Sequence, residues 1–327
     1  MRAIVISEPG GPEVLVLRNV PSPVPQRGEA RVRVRATAVN RADLLQRMGA
    51  YPAPADSPRD IPGLEFAGEV DSVGEGVTHV KVGDKVFGLA GGGAYAEEIV
   101  LPARTLARIP EGLSFVEAAA IPEAFLTAYD AMVTQAALSA GETVLVHAAG
   151  SGVGTAAVQI ARAIGASCIG TARTADKLDR ARPMGLLEGI VVQGGKFADQ
   201  VNTLTGGRGA DVILELVGGS YVAEDLACVA PRGRIVVVGL LAGNRVDFDL
   251  GLLMRKRAVV RGTVLRARPL EEKIEITHVL ARHLAPLFAT RRLEPVIDKV
   301  LPLAKAGEAH AYVASNDGFG KVVLEVE

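Results

Sequence analysis

A strand, a turn of small residues and a long helix follow one another without a break between Thr143 and Ala161. Thr143-Val144-Leu145-Val146 favours extended backbone, Ala148 to Gly154 carries almost no side-chain bulk, and Thr155 onwards reads as helix. That order is the first half of a βαβ dinucleotide site. The chemistry belongs to the main chain. Gly150, Ser151, Gly152, Val153 and Gly154 let the backbone come close to a pyrophosphate. The first amides of the helix have no partner within it, lie at the positive end of its dipole and donate to the phosphate oxygens.

Glycines after a strand are often only a turn, so the neighbouring sequence decides. A second strand-like run, Ala166 to Thr171, follows after a helix of suitable length, and others come at Ala210 to Glu215 and Gly233 to Gly239. Apolar strands alternating with helices predict a doubly wound parallel sheet covered on both faces, a Rossmann-type α/β domain.

The 327 residues suggest about two domains, and 49% hydrophobic residues are ample for their cores. A net charge of −1 with mixed signs leaves no basic footprint for nucleic acid. Cys168 and Cys228 both lie in apolar runs and read as buried small hydrophobes in a reducing compartment. The N-terminal apolar run is too short for a signal peptide, and no run approaches a membrane span. A soluble cytoplasmic protein is expected.

Residues 1–123 read as β-rich. Ala30 to Ala36 alternates arginine with apolar residues, the mark of a half-buried strand. Short strands edged by Gly and Pro predict a partly open barrel, GroES-like in kind. The period turns helical near Phe115 and again over Leu270 to Arg291, and the chain closes on a strand, Gly320 to Val326. That strand has no parallel sheet around it and is expected to return to the first domain. The domains are then 1–123 with 265–327 (catalytic), and 124–264 (dinucleotide-binding).

With these residues in view, the chain resembles the medium-chain dehydrogenase/reductase superfamily. Within it, the chain is similar to the zeta-crystallin-like quinone oxidoreductases, most nearly their tumour-suppressor-inducible branch. The resemblance is carried by Val39 to Arg47, Gly63 to Gly68, Ala119 to Ala128, the glycine turn and Gly218 to Tyr221. The Asn40-Arg41-Ala42-Asp43 and Ile121-Pro122-Glu123 runs are the branch-specific parts. Aligned on Gly154, Ala149 and Ser151 take the first two glycine places, a small-residue variant common in quinone oxidoreductases. The zinc alcohol dehydrogenases of the superfamily carry Cys and His ligands where this chain has Asn40 and Leu64, which cannot replace them. The five histidines show no metal-ligand spacing. Zinc catalysis is not expected, so the acceptor must already be electrophilic, such as a quinone or an activated enone.

For the cofactor, the run Gly170 to Lys177 has no carboxylate where the second strand ends, the place of the one that binds an NAD ribose. Arg173 and Lys177 are placed to reach a 2′-phosphate, or are solvated residues at a helix start. The resemblance supports Lys177 as a phosphate ligand. Relatives usually have Gly or Ser at the place of Arg173, and often a phosphate-flanking Tyr at that of Val192. NADPH is expected over NADH.

The resemblance further implies that Asn40 and Asp43 lie beside nicotinamide and acceptor, that Thr127 packs near the ring and ribose, and that Gly239 and Leu240 touch the cofactor. Asn40 is a candidate donor to the acceptor oxygen, or with Asp43 a helix cap. Tyr51 is a candidate proton donor or stacking ring, or only packing. The leading expectation is an NADPH-dependent, zinc-independent quinone reductase. Alternatives are a reductase of α,β-unsaturated carbonyls, for which Tyr51 would supply the proton, and a non-catalytic NADPH- or RNA-binding protein. A homodimer is implied, paired through Arg234 to Leu241 and Ala258 to Gly262.

Overall fold

The computed structural model describes residues 1–327. They form two compact units, Met1–Leu126 with Leu265–Glu327, and Thr127–Val264.

The first unit opens with β1 (Arg2–Ile6), β2 (Leu15–Asn19), β3 (Glu29–Val39) and α1 (Arg41–Arg47). It continues through β4 (Glu65–Val73), β5 (Lys85–Leu89), β6 (Glu98–Pro102), β7 (Ala107–Arg108), α2 (Phe115–Ala119) and the start of α3 (Pro122–Tyr129). Along β3 the alternation works as expected: Val32 and Val34 are buried, whereas Arg31 turns outward to Asp71 at 2.8 Å. The seven-stranded sheet runs β14-β15-β3-β4-β5-β7, with β6 also on β3. Its core includes Ile4, Val32, Phe66, Val86, Tyr95 and Leu324.

The second unit contains β8 (Thr143–Val146), α4 (Gly152–Ile164), β9 (Ser167–Ala172), α5 (Ala175–Ala181) and β10 (Leu186–Val191). After these come α6 (Ala198–Leu204), β11 (Ala210–Glu215), α7 (Tyr221–Cys228), β12 (Val229–Val237), α8 (Leu250–Lys256) and β13 (Val259–Gly262). The six strands are all parallel, in the order β10-β9-β8-β11-β12-β13. The order reverses at β8, so the crevice beyond the carboxyl ends of β8 and β11 is the switch point where such sheets bind ligands.

The chain then returns to the first unit with α9 (Leu270–Val279), α10 (Ala285–Ala289), β14 (Ile297–Pro302), α11 (Ala306–Ser315) and β15 (Lys321–Glu325). β15 pairs antiparallel with β3, Leu324 facing Thr37. The single helix expected over 270–291 is interrupted by a π turn at Leu280–Leu284. Pro286, two residues after Leu284, has no amide hydrogen to continue the ladder. β14, which pairs parallel with β15, has no counterpart in the sequence reading. Its residues are half-buried or exposed, so no apolar alternation announces it.

Candidate active site

In the first unit the site grows from the junction of β3 and α1. Asp43, in the first turn of α1, reaches back to accept the Asn40 amide at 2.8 Å, so the expected helix cap is real. The Asn40 side chain turns inward. Its Nδ2 donates to Glu65 Oε1 at 2.9 Å and to the Ala38 carbonyl at 3.2 Å, and its Oδ1 accepts from Lys321 Nζ at 2.6 Å. Both amide hydrogens of Asn40, expected as a donor to the acceptor oxygen, are engaged within the chain.

Lys321 opens β15, and Glu65 opens β4. The Lys321 ammonium also donates to Glu65 Oε1 at 2.7 Å and to the Val39 carbonyl at 3.2 Å, which uses all three of its protons. Glu65 Oε2 accepts the amide of Glu123 at 2.8 Å, so the first turn of α3 hangs on the same carboxylate. The Glu123 carboxyl is pushed up to about 8, first by burial and then by the nearby charge of Glu65.

Asp43 is fully buried. Its Oδ1 accepts the Gly63 amide at 3.0 Å, and Tyr95 donates to Oδ2 at 3.4 Å. Burial pushes its carboxyl up to about 6 against the pull of those amides and of the Lys321 and Arg266 charges. Asp43 thus braces the loop at Gly63. Glycine is needed there: φ is +105°, and a Cβ would stand 2.7 Å from the Tyr95 amide nitrogen. Tyr95 continues to His310 Nε2 at 3.1 Å, and Arg47 donates to His310 Nδ1 at 3.4 Å.

Tyr51 is half-buried and lies over the guanidinium of Arg266, 5.1 Å from its ring centroid. Arg266 also donates to the carbonyls of Tyr51 and Gly91 and to Gln46 Oε1, fixing this loop. Burial raises the Tyr51 phenol above its ordinary value, so it holds its proton at neutral pH.

In the second unit the glycine turn joins β8 to α4. Ala148, not a glycine, takes the left-handed conformation (φ +47°). Ser151 Oγ accepts the Gly154 amide at 3.0 Å as the N-cap of α4, so its hydroxyl is spent on the helix. The amides of Gly152 and Val153, ahead of it, are the unpaired donors of the first turn. A Cβ on Gly154 would lie 2.2 Å from the Ala148 carbonyl oxygen, so the third glycine sets how closely helix and turn pack. Gly150 is buried beside this turn.

Arg173 is exposed just past β9, and Lys177 is half-buried in α5. No carboxylate stands where β9 ends, at Ala172-Arg173-Thr174; the nearest that follows is Asp176, in the first turn of α5. Gly239 and Leu240 follow β12, and the main-chain carbonyl of Glu215 accepts the amides of Val238 and Gly239. Thr127 is buried in α3. The residues expected to act are thus divided, Asn40, Asp43 and Tyr51 in the first unit and the cofactor set in the second.

Sequence reasoning missed Glu65, Lys321, Glu123 and Arg266 as parts of the site. The one local signal was a charge at the head of an otherwise apolar run, in Lys321-Val322-Val323-Leu324.

Two family models match, the alcohol dehydrogenase GroES-like domain over residues 26–111 and zinc-binding dehydrogenase over 152–281. A quinone oxidoreductase of Pseudomonas aeruginosa is 37% identical over 318 residues, 96% of each chain. The solved Escherichia coli quinone oxidoreductase complexed with NADPH has a TM-score of 0.89 at 30% identity, covering 99% of this chain and 100% of that one. A solved NAD-dependent alcohol dehydrogenase has a TM-score of 0.88 at 34% identity over the full length of both. Fold and site define a two-domain oxidoreductase with a nicotinamide-cofactor domain. The chain belongs to the quinone oxidoreductase family of the medium-chain dehydrogenase/reductase superfamily. No helix is long and apolar enough to cross a membrane.

Proposed function

We propose that this protein is an NADPH-dependent, zinc-independent quinone reductase that works by hydride transfer. The observation that carries the zinc-independent part is the Lys321 ammonium, 2.6 Å from Asn40 Oδ1 and 2.7 Å from Glu65 Oε1. It brings a fixed positive charge to the residues around which the zinc-dependent relatives build their metal site. Leu64, at the second ligand place, is a buried hydrocarbon. An amide bound to an ammonium and an alkyl chain do not fit a zinc ion, and no step here passes through one.

NADPH fits the second unit: the unpaired amides of Gly152 and Val153 suit its pyrophosphate, and Arg173 and Lys177 suit its 2′-phosphate. Bound NADPH supplies the hydride. The chain itself orients the reactants and keeps the acceptor out of bulk water. Lys321 and Glu65 hold Asn40, and Arg266 holds the Tyr51 ring and loop. Hydroquinone oxygens can take protons from water, so no obligatory side-chain acid is needed.

A second reading, reduction of α,β-unsaturated carbonyls, is favoured by the Glu123 carboxyl. With its pKa pushed up to about 8, it stays protonated at neutral pH. Buried Cys168 and Cys228, both free thiols, fit a reducing cytoplasm.

The test is NADPH oxidation by the purified protein with ortho-quinones, para-quinones and enones, each repeated with NADH and with a chelator. Fast, chelator-insensitive turnover with quinones is the expected result. Turnover of enones alone moves the assignment to the second reading, and NADPH binding without turnover to a binding protein.

A further inference from the structure

His147 follows β8 and immediately precedes left-handed Ala148, at the root of the glycine turn. Its Nδ1 lies 2.8 Å from Thr171 Oγ1 at the end of β9. Its Nε2 lies 2.8 Å from Asp225 Oδ1 on α7 and 3.6 Å from Glu215 Oε2 at the end of β11. His147, Glu215 and Asp225 are fully buried. Phe197 and Tyr221 close over the imidazole, with ring centroids at 4.7 and 5.0 Å. No sequence spacing announces this cluster, because its members are brought together from three strand ends and a helix.

The proton inventory is short of one donor. With Thr171 donating to Nδ1, the Nε2 hydrogen goes to Asp225 Oδ1. Glu215 Oε1 accepts the amides of Val217 and Gly218. One oxygen of each acid, Glu215 Oε2 and Asp225 Oδ2, is then left buried with no donor. One oxygen of each carboxyl group and an imidazole nitrogen of His147 all lie within 4.8 Å of one another. The other titratable groups near them are Tyr221, Glu224 and Cys228 on α7. Lys256 acts on Cys228 and donates to the carbonyls of Ala227 and Val229, and Lys196 is paired with Glu224 at 2.7 Å. No cation offsets the pair.

Two adjacent carboxylates sealed from water cannot both stay ionised. A metal ion is the competing occupant. However, the 2.8 Å between His147 Nε2 and Asp225 Oδ1 is a hydrogen-bond length, whereas two atoms bound to one tetrahedral zinc stand about 3.3 Å apart.

We propose that His147, Glu215 and Asp225 hold one shared proton beneath the cofactor turn, and that losing it weakens dinucleotide binding. This rests on the assignment of the turn to NADPH. Two effects give the direction. Loss of the proton places a second negative charge below the amides that receive the anionic pyrophosphate. It also sets repulsion between Asp225 and Glu215, whose Oε1 and carbonyl oxygen hold the Val217–Gly218 turn and the Val238–Gly239 segment. By linkage, NADPH binding then takes up a proton above neutral pH.

The experiment is the NADPH and NADH dissociation constant from pH 7 to 9.5, a range chosen to lie above the titration of the 2′-phosphate. Calorimetry in two buffers of different ionisation heat counts the protons. Wild type is expected to lose affinity by up to about tenfold per pH unit, the limit for one proton, while taking up a proton on binding. Asp225→Asn puts an N–H where the shared proton sits, so it should keep neutral-pH affinity and lose the pH slope. Glu215→Gln should do the same, with its amide oxygen still accepting Val217 and Gly218. Glu271→Gln, at an exposed acid of α9, should keep the wild-type slope. Tight but pH-independent binding by wild type, an unchanged slope in both amide variants, or one tightly held metal ion per chain by elemental analysis each overturn the proposal. Failure to bind either dinucleotide at pH 7 overturns the cofactor assignment along with it.

Discussion

Lys321 Nζ stands 2.7 Å from Glu65 Oε1, with both side chains sealed from solvent. The pair ties the start of β15 to the start of β4, across 256 residues of sequence. Removing one partner strands the other as a buried, uncompensated charge, at a cost of about 3–5 kcal/mol. Lys321→Met should therefore lower the urea midpoint sharply and loosen Asn40 and the Glu123 turn. Glu65→Gln with Lys321→Met should recover part of the loss. A Lys321→Met protein as stable as wild type would show that the pair carries no load.

The parts of this site legible in the sequence are those whose chemistry is local. The turn at Gly150–Gly154 was readable because close backbone approach needs small residues in consecutive positions. Asn40 and Asp43 were readable as a cap because capping acts over three residues. Lys321, Arg266 and the His147–Glu215–Asp225 cluster were not, because Lys321 and Arg266 meet their partners 175 or more residues away and His147 meets its two acids 68 and 78 residues on. The sequence showed Asn40 as an available amide. Only the fold shows that Lys321 and Glu65 consume it.

Gly154 tests the turn. A methyl at this position would meet the Ala148 carbonyl oxygen at 2.2 Å, a backbone contact that cannot swing aside. Overpacking of this kind costs about 1–3 kcal/mol. Gly154→Ala should lower thermal stability by that order and weaken NADPH binding at least several-fold, as read by calorimetry. Unchanged binding would remove the turn from the cofactor site.

Arg173 and Lys177 test cofactor choice. A hydrogen bond to a charged group contributes about 1.5–3 kcal/mol. Arg173→Ala with Lys177→Ala should raise the KM for NADPH by roughly ten- to a hundredfold and leave the NADH value nearly unchanged. Equal Michaelis constants for the two cofactors in wild type would contradict the NADPH assignment.

β13 is the outer strand of the parallel sheet, and Val259 and Val260 are both exposed on it. An apolar edge with unpaired backbone groups favours pairing with a second copy. Sedimentation should find a dimer at micromolar concentration, and Val260→Lys should shift it towards monomer without unfolding the chain. A wild-type monomer would leave this edge without its expected partner.

His310 gives the acid side of the stability curve. Its ring is buried between Arg47 and Tyr95, and burial pushes it down to about 3, with the Arg47 charge adding to the shift. In the unfolded chain it titrates near 6.5. Between these values the unfolded state binds the proton and the folded state does not, so stability is lost as pH falls from about 6.5 towards 3. One such group contributes a slope of up to about 1.4 kcal/mol per pH unit. The buried acids Asp43, Glu123, Glu215 and Asp225 are shifted upward and oppose this slope, so the comparison must be made within a variant pair. His310→Gln cannot take up the proton. Its unfolding free energy between pH 6.5 and 4 should fall less steeply than that of wild type, whatever its absolute stability. Parallel curves would mean that His310 protonates in place, with Arg47 or Tyr95 moving to admit the charge.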